Sequence, residues 1–146
     1  MRLTVDELAN LFEGRTRFVE RLAQYANPLA QARAVLQSLP RDDILEALNA
    51  HPRIGERSAS AASAAEQGRE NDPAVLADLA RLNRAYEEKF GFRFVVFVNR
   101  RPRSQIVPVL RARLARSRDE ELATAIDELV AIAEERYRQL FGAGSS

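Results

Sequence analysis

Asn49-Ala50-His51-Pro52-Arg53-Ile54-Gly55-Glu56-Arg57 is the stretch best suited to chemistry, because it carries the chain's single histidine. Histidine is the side chain whose ordinary pKa lies near neutrality, so it can give or take a proton at physiological pH. His51 follows an apolar helical run (Ile44, Leu45, Leu48) and stands directly before Pro52. A residue before proline is pushed out of the α region. His51 is therefore expected at or just beyond a helix C-terminus, as a partly exposed loop residue. Gly55 then tolerates a positive φ. An imidazole at a helix end beside a tight turn can be aimed into a pocket and have its pKa tuned. The competing reading is a surface histidine that merely ends a helix.

Glu66 lies fifteen positions further on. Its carboxylate can orient a histidine or accept hydrogen bonds from substrate N–H groups. Ser63-x-x-Glu66 reads equally well as a helix capping box. The seven arginines at 100, 101, 103, 111, 113, 116 and 118 form the densest positive run. They lack interleaved aromatic residues, and Asp119, Glu120 and Glu121 follow at once, so a solvated helix face fits better than a polyanion site. One or two of them can still clamp a carboxylate through the two-pronged guanidinium. Glu87, Glu88 and Lys89 also read as a solvated face, whereas Tyr86 and Phe90 read as core.

The elements that must position these groups are helical. Thr4-x-x-Glu7 is a capping box ahead of Leu8, Leu11 and Phe12. Phe18, Val19, Leu22 and Ala23 mark a second helix that stops near Asn27-Pro28. Pro28 suits the first turn of a third, which buries Leu29, Ala32, Val35, Leu36 and Leu39. Pro40 with Asp42-Asp43 opens a fourth, which runs to His51. Residues 58–65 are alanine and serine only, with too little apolar surface to anchor a helix, and read as a loosely packed segment. Asp72-Pro73 starts a helix carrying Leu76, Leu79, Leu82, Tyr86 and Phe90, and Gly91 stops it. Phe92 to Val98 has strand propensity but no second strand to pair with, so it reads as a buried extended segment or short helix. A helix begins around Ser104 to Pro108. Ser117-x-x-Glu120 caps the last one, which carries Leu122, Ile126, Leu129, Val130, Ala133, Tyr137 and Leu140 and stops at Gly142. The expected fold is all-α: a single compact domain over 1–142, with about seven or eight helices, one short extended apolar segment and a flexible tail at 143–146.

Composition narrows the function. The chain has 146 residues, 22 basic against 21 acidic, and 46% hydrophobic residues. That suits one domain with a real core, and a net charge of +1 argues against a dedicated nucleic-acid binder. With no cysteine, disulfides and thiolate metal sites are excluded, and a single histidine argues against the usual His-rich zinc site. No apolar run approaches the roughly 20 residues of a membrane span, and no signal peptide is evident. A soluble cytoplasmic protein is expected. There is no phosphate loop, dinucleotide fingerprint or serine nucleophile elbow.

Three stretches together carry a resemblance: Ala50-His51-Pro52-Arg53-Ile54-Gly55-Glu56, then Ser63-x-x-Glu66-Gln67, then Leu82-Asn83-x-x-Tyr86-x-x-Lys89-Phe90-Gly91-Phe92-x-Phe94-Val95-Val96. In this order and spacing they resemble the 2-oxo-4-hydroxy-4-carboxy-5-ureidoimidazoline (OHCU) decarboxylases of purine catabolism. The similarity spans nearly the whole chain, including Leu11-Phe12-Glu13 and the final helix. It implies an all-α homodimer that needs no metal and no organic cofactor and acts on a small molecule. The implied reaction is the last step from urate to S-allantoin. The family's catalytic histidine falls on His51, which the resemblance makes the proton donor or shuttle, and its glutamate falls on Glu66. Ser63 and Gln67 would bind substrate oxygens, Pro52 would pack on the ligand, and backbone N–H groups around Phe94 and Val96 would reach it. Many relatives place an arginine at the position of Asn99. Here the arginines come next, at Arg100, Arg101 and Arg103, so either one of them takes the anion-binding role or Asn99 replaces it. A binding module that keeps the fold without the catalysis, and a decarboxylase for another ureido or imidazoline acid, are the alternatives.

Overall fold

The computed structural model describes residues 2–54 and 72–142. Gly55, the alanine/serine run at 58–65, the Ser63–Glu66 capping box, Gln67 and the tail at 143–146 lie outside the described residues. Seven α-helices are present among the described residues: α1 Val5–Phe12, α2 Arg17–Leu22, α3 Pro28–Ser38, α4 Arg41–Asn49, α5 Pro73–Phe90, α6 Arg103–Leu114 and α7 Arg118–Tyr137, followed by a π-helical turn over Arg138–Gly142. None is long and apolar enough to cross a membrane. The chain forms two compact units, one of Met1–His51 with Ile126–Ser146, the other of Pro52–Ala125.

In the first unit most local signals hold where the sequence puts them, although Leu29 and Leu39, expected in the core, are only half-buried and Leu39 lies past the end of α3. The Thr4 hydroxyl accepts from the Glu7 N–H at 3.1 Å and the Glu7 carboxylate accepts from the Thr4 N–H at 2.9 Å, closing the capping box of α1. Thr16 caps α2 through the Val19 N–H. That helix ends at Leu22, sooner than its pattern suggests, because the following residues turn back through short bonds such as Tyr25 N–H to the Leu22 carbonyl. Pro28 opens α3, and Pro40 precedes α4. The apolar faces bury Leu8, Leu11, Phe12, Phe18, Leu22, Leu36 and Leu48, with the rings of Phe12 and Phe18 edge to face at 4.9 Å. From α7, Arg33 is met by Asp127 at 2.7 Å, and Arg136 donates to the Leu11 carbonyl at 3.2 Å and pairs with Glu13 at 2.8 Å.

In the second unit Asp72 caps α5 by accepting from the Ala74 N–H, with Pro73 in the first turn. Gly91 ends it at φ +81°, a conformation that costs glycine little. Phe92–Val98 forms neither helix nor strand. Of the two forms open to it, extended or helical, it takes the extended one, and no strand is present among the described residues. α6 starts earlier than expected, directly after Pro102, so that Pro108 lies inside the helix. Ser117 and Glu120 close a second capping box at 3.0 and 3.2 Å. Leu140 departs from the apolar stripe read for the last helix. The π-helical turn displaces it, leaving Leu140 64% and Phe141 44% exposed.

Candidate active site

His51 sits where the sequence places it along the chain. α4 ends at Asn49, Ala50 is its C-cap, and the His51 N–H donates to the Leu48 carbonyl at 3.3 Å. Its exposure is a correction. Only 5% of His51 is accessible, so it is a buried residue and not a partly exposed loop position. The imidazole pKa is lowered from 6.5 to about 3, first by burial and second by the positive charge of Arg136. Burial penalises the charged ring, and a nearby guanidinium penalises it again. His51 is therefore neutral at physiological pH, not poised near its titration point. Arg136, itself 3% exposed, belongs to this setting and was invisible among the polar positions of the last helix. No local signal marks it.

The three residues after His51 are fixed in turn. Pro52 restricts its own φ. Arg53 grips Glu87 with two prongs, Nε to Oε2 at 2.6 Å and Nη2 to Oε1 at 2.9 Å. The buried Ile54 gives its carbonyl to the Asn83 amide at 3.1 Å. Glu87 thus departs from the solvated face expected of it. Glu66, Ser63 and Gln67 lie outside the described residues.

The extended segment is held through its carbonyls. Phe94 and Val96 are 2% and 8% exposed. Arg113 donates from Nη1 to the Val95 carbonyl at 2.7 Å, and its guanidinium lies 4.5 Å from the Phe94 ring centroid. The same arginine meets Glu121 at 2.7 Å. Glu121 is wholly buried, accepts the Tyr86 hydroxyl at 2.6 Å, and accepts Arg116 at 2.9 Å. Burial and the adjacent carboxylate raise the Tyr86 pKa well above that of a free phenol. These contacts overturn the solvated reading for Arg113 and Arg116. A segment with no sheet partner needs donors for its carbonyls, and an arginine of α6 supplies one.

Asn99 and Arg100 form a tight turn, with φ of 51° and 63° and a bond of 3.1 Å from the Arg101 N–H to the Val98 carbonyl. Two successive left-handed residues are the pattern of a type I′ turn. Arg101 folds back, donating from Nε to Val98 at 2.8 Å and from Nη2 to Phe97 at 2.7 Å. Its guanidinium holds the end of the extended segment. Asn99 and Arg100 are exposed.

Comparison with known proteins gives one answer. A family model described as OHCU decarboxylase matches residues 3–138. A 2-oxo-4-hydroxy-4-carboxy-5-ureidoimidazoline decarboxylase of Haloferax volcanii is 37% identical over 121 residues, covering 77% of this chain and 69% of that protein. The protein of the same description from Mus musculus is 32% identical over 121 residues, covering 77% and 68%. A crystal structure of OHCU decarboxylase in the presence of (S)-allantoin superposes with a TM-score of 0.76 at 27% identity, over 92% of this chain and 96% of that one. Sequence relatives and a solved fold thus point the same way, and the chain belongs to the OHCU decarboxylase family.

Proposed function

We propose that this protein decarboxylates 2-oxo-4-hydroxy-4-carboxy-5-ureidoimidazoline to S-allantoin without a metal or organic cofactor. The observation that carries the proposal is the family match across residues 3–138, in a chain whose only histidine is buried at a helix end. When the carboxylate leaves as carbon dioxide, the electron pair of the broken bond passes into the adjoining imine of the ring. The ring itself is the electron sink. The protein must orient the substrate, stabilise the developing anion and deliver a proton to one face.

A neutral His51 suits the first half of that task. It can accept the proton of the substrate hydroxyl, which becomes a carbonyl in allantoin, and return it to the neighbouring ring carbon, while the ring nitrogen left anionic by loss of carbon dioxide takes its proton from water. Binding a carboxylate beside the imidazole opposes the Arg136 charge and raises its proton affinity. In this proposal Glu66 accepts hydrogen bonds from ureido N–H groups. Ser63 and Gln67 bind substrate oxygens, and Pro52 packs on the ring. Backbone groups at Phe94 and Val96, with Asn99, Arg100 or Arg101, complete the substrate contacts. The protein works as a homodimer in the cytoplasm, its catalytic domain spanning residues 1–142 and followed by a short tail.

The test is a coupled assay in which urate is oxidised and hydrolysed in place to the unstable substrate. Loss of that intermediate and the optical activity of the allantoin are followed with and without the protein. Accelerated decay to one enantiomer, abolished in His51→Asn and lowered in Glu66→Gln, is the expected result. Spontaneous decay to racemic product in the presence of folded protein would refute the assignment.

A further inference from the structure

Asn83 is an anomaly on α5. It lies among the buried residues Leu79, Leu82 and Tyr86 and is itself only 3% exposed, yet it is an amide. A polar group is kept in such a position where it makes a hydrogen bond that the fold needs. Asn83 donates to the Ile54 carbonyl, in a stretch of the chain past the end of α4, where helical bonding no longer supplies a partner. Four residues along α5, and therefore on the same face, Glu87 takes the two-pronged grip of Arg53. The side chains of that pair are 36% and 25% exposed, and a pair so close to water adds little to stability. Its two parallel bonds do fix direction.

We propose that Asn83 and Glu87 are positioning residues, a two-point clamp from α5 that fixes the backbone leaving His51 and so sets where the imidazole is presented. The proposal rests on the decarboxylase reading for its catalytic consequence. Neither residue touches substrate in it. They act through Arg53 and Ile54, two and three residues beyond the histidine. Displacing a catalytic group by about 1 Å costs up to about 100-fold in rate.

The experiment combines steady-state kinetics in the coupled assay with hydrogen exchange of the amides of residues 51, 53 and 54. Glu87→Gln keeps the shape of the side chain and removes the charge that aligns Arg53. Asn83→Ala removes the donor to Ile54. Each is expected to lower kcat by about 10- to 100-fold with KM within about twofold, and to speed exchange at 53 and 54 while the α5 amides stay protected. The charge-reversed pair Arg53→Glu with Glu87→Arg is expected to recover most of the kcat lost in Glu87→Gln. Unchanged kcat and exchange in both single variants would overturn the clamp. A uniform fall in melting temperature, kcat and α5 protection, with no recovery in the reversed pair, would overturn it too. Faster exchange at 53 and 54 in a protein whose wild type has no decarboxylase activity would sustain the clamp and sink the enzymatic reading instead.

Discussion

Replacing Glu121 with glutamine puts the buried charge network of the second unit to the test. The carboxylate is fully buried and receives three hydrogen bonds, from Tyr86 at 2.6 Å, Arg113 at 2.7 Å and Arg116 at 2.9 Å. Glutamine keeps the shape but removes the negative charge, and it turns an N–H donor toward groups that are themselves donors. Arg116 is 37% exposed and can turn to water, whereas Arg113 is 7% exposed and cannot. Breaking a buried pair by removing one partner costs about 3–5 kcal/mol. At about 2–4 °C per kcal/mol for a chain near this size, Tm falls by roughly 6–20 °C. Circular dichroism melts at pH 7.5 measure it. The double variant Arg113→Met with Glu121→Leu removes both charges and strands only the neutral Tyr86 hydroxyl and Val95 carbonyl, at about 1–3 kcal/mol each. Together these come to about 2–6 kcal/mol, the same range as the single change, so the double variant is expected to melt near Glu121→Gln and the two positions to be non-additive. A shift below about 3 °C in Glu121→Gln, near 1 kcal/mol, would refute the claim that Glu121 keeps Arg113 in the interior.

Three further predictions follow from local features. The depressed His51 pKa means that below pH 6.5 the unfolded chain binds a proton that the folded chain refuses. The His51 contribution to stability is then nearly constant above pH 7 and falls by up to about 1.4 kcal/mol per unit as pH drops below 6.5 toward 4; His51→Gln should flatten that slope between pH 4.5 and 6, and parallel curves would show that His51 is not the group responsible. Arg100→Gly relieves a positive φ and should raise stability by about 1 kcal/mol, read as a rise of about 2–4 °C in Tm, whereas Arg100→Val should lower it. Gly91→Ala forces a side chain into φ +81° with its Cβ 3.2 Å from Arg118 and should cost about 1–2 kcal/mol in urea denaturation; a wild-type midpoint would show that the turn relaxes freely.

What the sequence made legible was what neighbours along the chain decide. The Thr4 and Ser117 capping boxes, the Asp72-Pro73 start and the Gly91 stop depend on residues within four positions of each other. The place of His51 at a helix end followed from the proline beside it. Its burial and its charge did not, because Arg136 reaches it from 85 positions away. The roles of Arg113 and Arg116 were missed for the same reason. An arginine-rich helix face looks solvated until the extended segment and Glu121 are packed against it. Asn83 and Glu87 stood inside a motif quoted for its family resemblance, yet their bonds to Ile54 and Arg53 span 29 and 34 positions.

The first unit is interrupted in the chain: Met1–His51 waits for Ile126 onward, while Pro52–Ala125 forms the second. A ribosome adding about 5–20 residues per second takes roughly 4–15 s to translate the 74 residues in between. Over that interval α1 to α4 carry an apolar surface whose last partner has not yet been made, although helices themselves form within microseconds. The bonds that close the unit, Arg33 to Asp127 across 94 positions and Arg136 to Leu11 across 125, are the kind that form late. During synthesis the nascent N-terminal helices therefore keep apolar surface uncovered, and a chain ending at Ala125 is expected to aggregate although every residue of the second unit has been made.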